Sequence, residues 1–152
     1  MKWLVIFWLW GLPLAGYGMT YEERGVAAVI MGEAWSEGTE GMTAVAEVIQ
    51  QRAVEKGKAP LQIILVHRGQ IHAFSSLNGT TLDRLIQKFS REPDFQQALQ
   101  IARMMCESPA RLPGLAKFAN HFNLATKLPY WAKGKRPVAI IGRHAFYRLE
   151  HY

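Results

Sequence analysis

Three glutamates fall within the ten residues Gly32-Glu33-Ala34-Trp35-Ser36-Glu37-Gly38-Thr39-Glu40-Gly41, at the junction of two apolar helical patterns. Carboxyl groups held between rigid helices can act as proton donors and acceptors if they face a groove. Glu33 and Glu37 are four apart and share a face if the first helix runs through both. A carboxyl flanked by Trp35, a second carboxylate and a Val/Ile/Met wall is in surroundings that raise its pKa, as a general acid near neutrality requires. Glu33 lies nearest the apolar face and is the leading candidate. Glu37 and Glu40 have a plainer alternative as charges decorating an exposed turn, Glu40 where a helix N-terminus favours an anion.

The five histidines, His67, His72, His121, His144 and His151, raise the question of a metal. No two have the four-residue spacing of a helical zinc site, and Cys106 is the single cysteine. The expectation is therefore no metal and no cofactor, with Cys106 a small hydrophobe in "IARMMCESP". No glycine-rich phosphate loop or nucleic-acid module is present, so nucleic-acid binding would rest on charge alone. The net charge of +6 and pI near 9.7 suit a polyanionic partner or surface without choosing among nucleic acid, anionic lipid and anionic wall polymer.

The elements that must position these groups are mostly helical. Thr20 caps a helix from Tyr21 that carries Glu33 near its end, with Glu22 and Glu23 in the first turn. A second helix is expected from about Met42 to Glu55, stopping at Gly57. Pro60 opens a short helical segment, "LQIILVHR", ended by Gly69. The loop "QIHAFSSLNGT" offers Phe74 and Ser75 to a sugar groove, with structural anchoring an equal explanation of Phe74. Thr80 or Thr81 caps "LDRLIQKF", and Pro93 starts the helix that runs through "DFQQALQIARMMCE". After Pro109 and Pro113 come the β-like runs "FANHF" and "PVAIIGRHAFYRLE", expected to form a small antiparallel element covered by the helices. The expected fold class is α+β, mainly helical, with the small sheet as one wall of a cleft. A length of 152 residues and a 49% apolar share fit one domain, residues 19–152.

Residues 1–18 read as a secretory signal: Lys2, the apolar run Trp3–Trp10, then Gly16-Tyr17-Gly18 before Met19. Gly11 and Pro13 interrupt the run, which falls short of the roughly 20 residues that span a bilayer, so an uncleaved amino-terminal anchor is the alternative. Either places the remaining chain across a membrane, in the periplasm, cell envelope or medium, with membrane association through the amino terminus alone.

"GEAWSEGTEGMTAVAEVIQQR" (32–52) closely resembles the opening motif of bacterial cell-wall hydrolases of the spore-cortex-lytic type, a Glu-Ala-x-x-Glu element followed by Gly and an Ala/Val-rich helix ending in a polar residue and Arg. "AFSS" (73–76) resembles the family's Phe-Ser loop, "ANHFNLATKLPYWA" (119–132) its His-aromatic segment with Pro-x-Trp, and "IIGRHAFYR" (140–148) its ending. Ala73 and Gln51 depart from the glutamine and asparagine common in relatives. The resemblance implies a lysozyme-like, lytic-transglycosylase-like catalytic domain acting as a monomer on peptidoglycan glycan strands. It assigns the essential acid to Glu33 and a supporting role to Glu37. The cleft wall or its support would then include His121, Tyr130, Trp131 and His144, the last supporting and the others touching substrate with Phe74 and Ser75. The implied reaction cleaves between N-acetylmuramic acid and N-acetylglucosamine, with the muramoyl C6 hydroxyl attacking to leave a 1,6-anhydro end. Muramidase hydrolysis and non-catalytic wall binding are the alternatives. A partner carboxylate for hydrolysis could come from Asp83, Glu107 or Glu150.

Overall fold

A computed structural model describes residues 18–152, so the expected signal falls outside the described residues apart from Gly18. Among the described residues no helix is long and apolar enough to cross a membrane.

The first helix, α1 (Tyr21–Ala34), begins where Thr20 and Glu23 close a capping box. The Glu23 N–H donates to Thr20 Oγ1 at 3.1 Å and the Thr20 N–H to Glu23 Oε2 at 2.7 Å. Residues Val26 to Met31 are all buried, because α1 is surrounded by α2 (Gly38–Lys56), α3 (Pro60–Ile64), α4 (Leu82–Phe89) and α5 (Phe95–Glu107). A helix apolar all round is a core helix, and its last turn therefore carries Glu33 on a firm support.

Helix α2 is the shared wall of the fold. Val45, Ala46 and Ile49 pack into the helical core, whereas Ala44 and Val48 face Ala116, Ala119 and Phe146 on the sheet side. It starts at Gly38, earlier than the apolar pattern suggests, and ends at Gly57, whose φ of 58° lets its N–H reach back to Ala53 and Val54. Thr81 rather than Thr80 caps α4, accepting from the Arg84 N–H at 3.3 Å. Asp94, not Pro93, occupies the cap position of α5.

Two departures concern strands. The segment "LQIILVHR" is helical only to Ile64. His67–Arg68 (β1) and Ile71–His72 (β2) then form a hairpin, with Gly69 at φ 61° in its turn. The tail run "PVAIIGRHAFYRLE" supplies two strands rather than one. Ala139–Ile141 (β4) and His144–Tyr147 (β5) join His121–Leu124 (β3) in an antiparallel sheet of order β3-β5-β4. His121 pairs with Tyr147 and Leu124 with His144. The two-residue alternation of β5 turns Phe146 toward α2 and Ala145 and Tyr147 toward the turn at 130–132, so His144 points to the helical side with Phe146.

Candidate active site

Glu33 faces a cleft of about 790 Å³ bounded by the end of α1, the C-terminal half of α2, the β1–β2 hairpin, the 75–78 turn and the β3/β5 wall. Its position depends on Gly32. A Cβ there would lie 2.4 Å from the Ser76 Cβ, so only glycine lets the 75–77 turn sit this close to α1. The contact brings the Ser76 N–H to Glu33 Oε1 at 2.7 Å and the Ser75 hydroxyl to the two carboxylate oxygens at 3.3 and 3.1 Å.

Phe74 anchors that turn from below. It is 1% exposed and packed in the helical core, with its ring 6.3 Å from Phe122 and the Arg52 guanidinium 5.1 Å above it. It does not line the cleft, which corrects its expected contact with sugar. Trp35 is likewise not a flank of Glu33: its Nε1 donates to Asp94 at 2.7 Å and its ring packs on Phe89.

Glu37 does not share a helical face with Glu33. Helix α1 stops at Ala34 and a tight turn, Trp35–Glu37, redirects the chain. The Glu37 carboxylate instead receives the Arg143 backbone N–H at 2.8 Å and Arg143 Nε at 2.7 Å, while Arg143 Nη2 reaches Ser36 Oγ. Gly142 makes this possible, for a Cβ at that position would lie 1.8 Å from Glu37 Oε2, and its φ is 55°. Glu37 thus clasps the helix junction to the β4–β5 turn, next to His144. The Arg143 side chain and backbone N–H hold its carboxyl below the usual range, against a smaller opposing effect of burial. A depressed folded-state pKa contributes stability above the unfolded value of about 4.3, lost as pH falls through the folded value. The urea midpoint of Glu37→Gln should accordingly lie below the parental one near neutrality and converge with it in acid, as pH falls through the depressed folded-state value. A gap that persists in acid would mean the loss is one of packing rather than charge.

His144 is 7% exposed, lines the cleft, and its Nδ1 has no hydrogen-bond partner. Burial lowers its pKa, opposed by Glu37 and Glu33. His121 and Trp131 also line the cleft, their ring centroids 5.1 Å apart, and Trp131 meets Tyr147 edge-on. Burial brings the His121 pKa down to about 4, so its ring is neutral near pH 7. Ser75 lines the cleft beside Glu33, whereas Tyr130 is 86% exposed and stands outside the lining, contrary to its expected place in the wall. Neither His151 nor the alternative carboxylates line it: Asp83 accepts from the Tyr21 hydroxyl, Glu107 lies 3.7 Å from Arg103, and Glu150 is exposed. Among the described residues, Glu33 is the carboxylate in the lining.

The lining also holds Arg52, Lys56, Asn123, Lys127 and Arg143, none of them singled out as site residues from the sequence. Arg52 and Arg143 were visible only as letters inside the opening and closing motifs. Cys106 lies elsewhere, half-buried at the edge of the helical core, where burial pushes its thiol up to about 12.

A family profile described as Cell Wall Hydrolase matches residues 36–147. The chain belongs to that family. The match begins just past Glu33 and takes in Glu37, Ser75, His121, Trp131, Arg143 and His144. No curated protein and no solved structure matches the chain. Membership in the cell wall hydrolase family makes the chain a peptidoglycan-acting hydrolase.

Proposed function

We propose that this cell wall hydrolase cleaves glycan strands between N-acetylmuramic acid and N-acetylglucosamine as a lytic transglycosylase, with Glu33 as its one acid/base. The observation that carries the reading is that Glu33, oriented by Ser75 and Ser76, is the one side-chain carboxylate in the cleft lining among the described residues. A retaining or inverting hydrolase ordinarily uses two carboxyls flanking the bond, and Glu37 is committed to Arg143. The lysozyme-like plan implied by the sequence belongs to this reading, supported by a helix-borne acid facing a small sheet across a cleft.

Glu33 Oε1 accepts the fixed Ser76 N–H, so Oε2 is the oxygen that carries the transferable proton. The Ser75 hydroxyl can donate to the carboxylate or accept from the acid, and so serves both states. Proton transfer from Oε2 to the glycosidic oxygen accompanies breakage of the muramoyl C1–O bond and an oxocarbenium-like state. The ionised carboxylate then takes the C6 hydroxyl proton while O6 bonds to C1, closing the 1,6-anhydro ring without water. Trp131 offers a face to a pyranose ring, and His144 supports the cleft wall beside Glu37 and Glu33.

Incubating the protein with purified peptidoglycan should release soluble muropeptides detectable by mass spectrometry. Binding to the sacculus with no new glycan ends at high enzyme concentration would instead make it a wall-binding protein.

Export through residues 1–18 is part of the same proposal, resting on Lys2, the Trp3–Trp10 run and the small residues at 16 and 18. Amino-terminal sequencing of protein from its native host should find Met1 removed with the signal. A soluble cytoplasmic product that keeps Met1 would reject export, and a membrane-bound one would select the anchor.

A further inference from the structure

Arg52 is fixed by two contacts and lies in the field of the Glu33 and Glu55 carboxylates without forming an ion pair to either. Its guanidinium lies 5.1 Å above the buried Phe74 ring, and its Nε donates to the Asn120 carbonyl at 2.6 Å. These two contacts fix the plane of the group. Among the described residues its terminal amino groups make no hydrogen bond and no ion pair, and they are not among the occluded unpartnered atoms. Arg52 belongs to the cleft lining.

Lys56 follows one turn later on α2, on the same face, with its Nζ 4.1 Å above the Tyr152 ring. Lys127 lines the same cleft from the segment after β3, with no ion-pair partner among the described residues. A planar guanidinium already oriented by stacking and one hydrogen bond presents its remaining N–H groups as a fork, the geometry that takes a carboxylate in two parallel bonds. The side-chain entropy of ordering it has been spent in folding, so an incoming anion need not supply it.

We propose that Arg52, assisted by Lys56, is a receptor for a carboxylate carried by the glycan strand, so that the cleft selects strands by their acidic substituents as well as by their sugars. The inference rests on the strand-cleaving reading above and deepens it. Two sources share this chemistry: the lactyl carboxylate of a muramoyl residue stripped of its peptide, and the carboxylates of an attached stem peptide.

The test uses solubilised strands in four forms, with stems intact or removed, each as isolated or with its carboxylates converted to neutral amides. With the parental protein, amide conversion should raise KM about ten- to a hundredfold, the size of effect of a charge-assisted pair, with kcat little changed. Arg52→Lys and Arg52→Gln should raise KM toward the amidated value on native strands and add nothing on amidated ones. Lys56→Gln should do the same to a smaller degree. Dependence confined to intact strands assigns the carboxylate to the stem; dependence on stripped strands assigns it to the lactyl group.

Equal KM for native and amidated strands with the parental protein overturns the receptor. So does an Arg52→Lys loss of equal size on both, which would make Arg52 a purely structural tie between α2 and β3. If the Arg52 variants fail to fold, the parental comparison and Lys56→Gln decide. If no strand is cleaved, the strand-cleaving reading fails by itself, and equal co-sedimentation of the protein with native and amidated sacculi then overturns the receptor as well.

Discussion

Glu33→Gln should lower peptidoglycan cleavage by about 10²–10⁴-fold while folding and wall binding survive. The amide oxygen can still accept the Ser76 N–H, and the amide nitrogen can donate to the Ser75 hydroxyl, so the side chain keeps its place in the cleft. What it loses is the proton that must reach the glycosidic oxygen, and the base that must later accept one. Turnover of purified sacculi, measured across pH alongside circular dichroism of the variant, checks this. Near-parental turnover at any pH would remove Glu33 from the chemistry. Glu37→Gln should cost less, because Glu37 sets the sheet wall through Arg143 instead of transferring a proton. Losses of equal severity with helical content intact would point to a mechanism using both carboxyls.

The largest effect on stability is expected at Glu47, remote from the cleft lining. This glutamate is 9% exposed on α2, and its carboxylate gathers the backbone N–H groups of Gly114, Leu115 and Ala116 at 2.7, 3.0 and 2.6 Å. It fixes the chain that leaves the helical layer and enters the sheet. Glu47→Ala leaves these three donors without their acceptor beside the packed Ala116, at a cost of about 2–4 kcal/mol after water reaches the more exposed of them. Glu47→Gln, which retains one acceptor oxygen, should cost less. Denaturant midpoints of both variants give the comparison. An alanine variant within about 0.5 kcal/mol of the parent would show the contact to be replaceable by solvent.

Much of the helical layer was legible because its punctuation is local. Thr20 with Glu23, Thr81 ahead of Leu82, and Gly57 after Lys56 act within a turn of their own helices. The β1–β2 hairpin was not legible, since "ILVHRGQIHAF" is a short apolar run that periodicity cannot assign to helix or strand. The start of α2 was missed for a related reason: the apolar pattern begins at Met42, whereas the helix begins at the polar Gly38-Thr39-Glu40 turn.

The site divides along the same line. Glu33 could be singled out by its place at the end of an apolar helix, and the Phe-Ser element by its resemblance to a family loop. Which of Phe74 and Ser75 turns to the cleft depends on how that loop packs on α1 and Phe122, contacts that local spacing does not encode. Glu37 illustrates the limit most clearly, because its partner is 106 residues away. Read along the chain, it is a like charge one turn from Glu33; folded, it is the acceptor of an arginine in the β4–β5 turn. Arg52 was equally silent, as its value depends on an aromatic ring and a carbonyl supplied by distant segments.

What attacks the muramoyl C1 once Glu33 has protonated the leaving oxygen separates a lytic transglycosylase from a hydrolase. Digesting purified peptidoglycan in heavy-oxygen water and weighing the new glycan ends by mass spectrometry tests it directly. Internal attack by the C6 hydroxyl predicts 1,6-anhydromuramoyl ends with no label from solvent, formed by the parental protein and absent with Glu33→Gln. Reducing muramoyl ends that carry the heavy oxygen would contradict it, with water taking the place of the C6 hydroxyl.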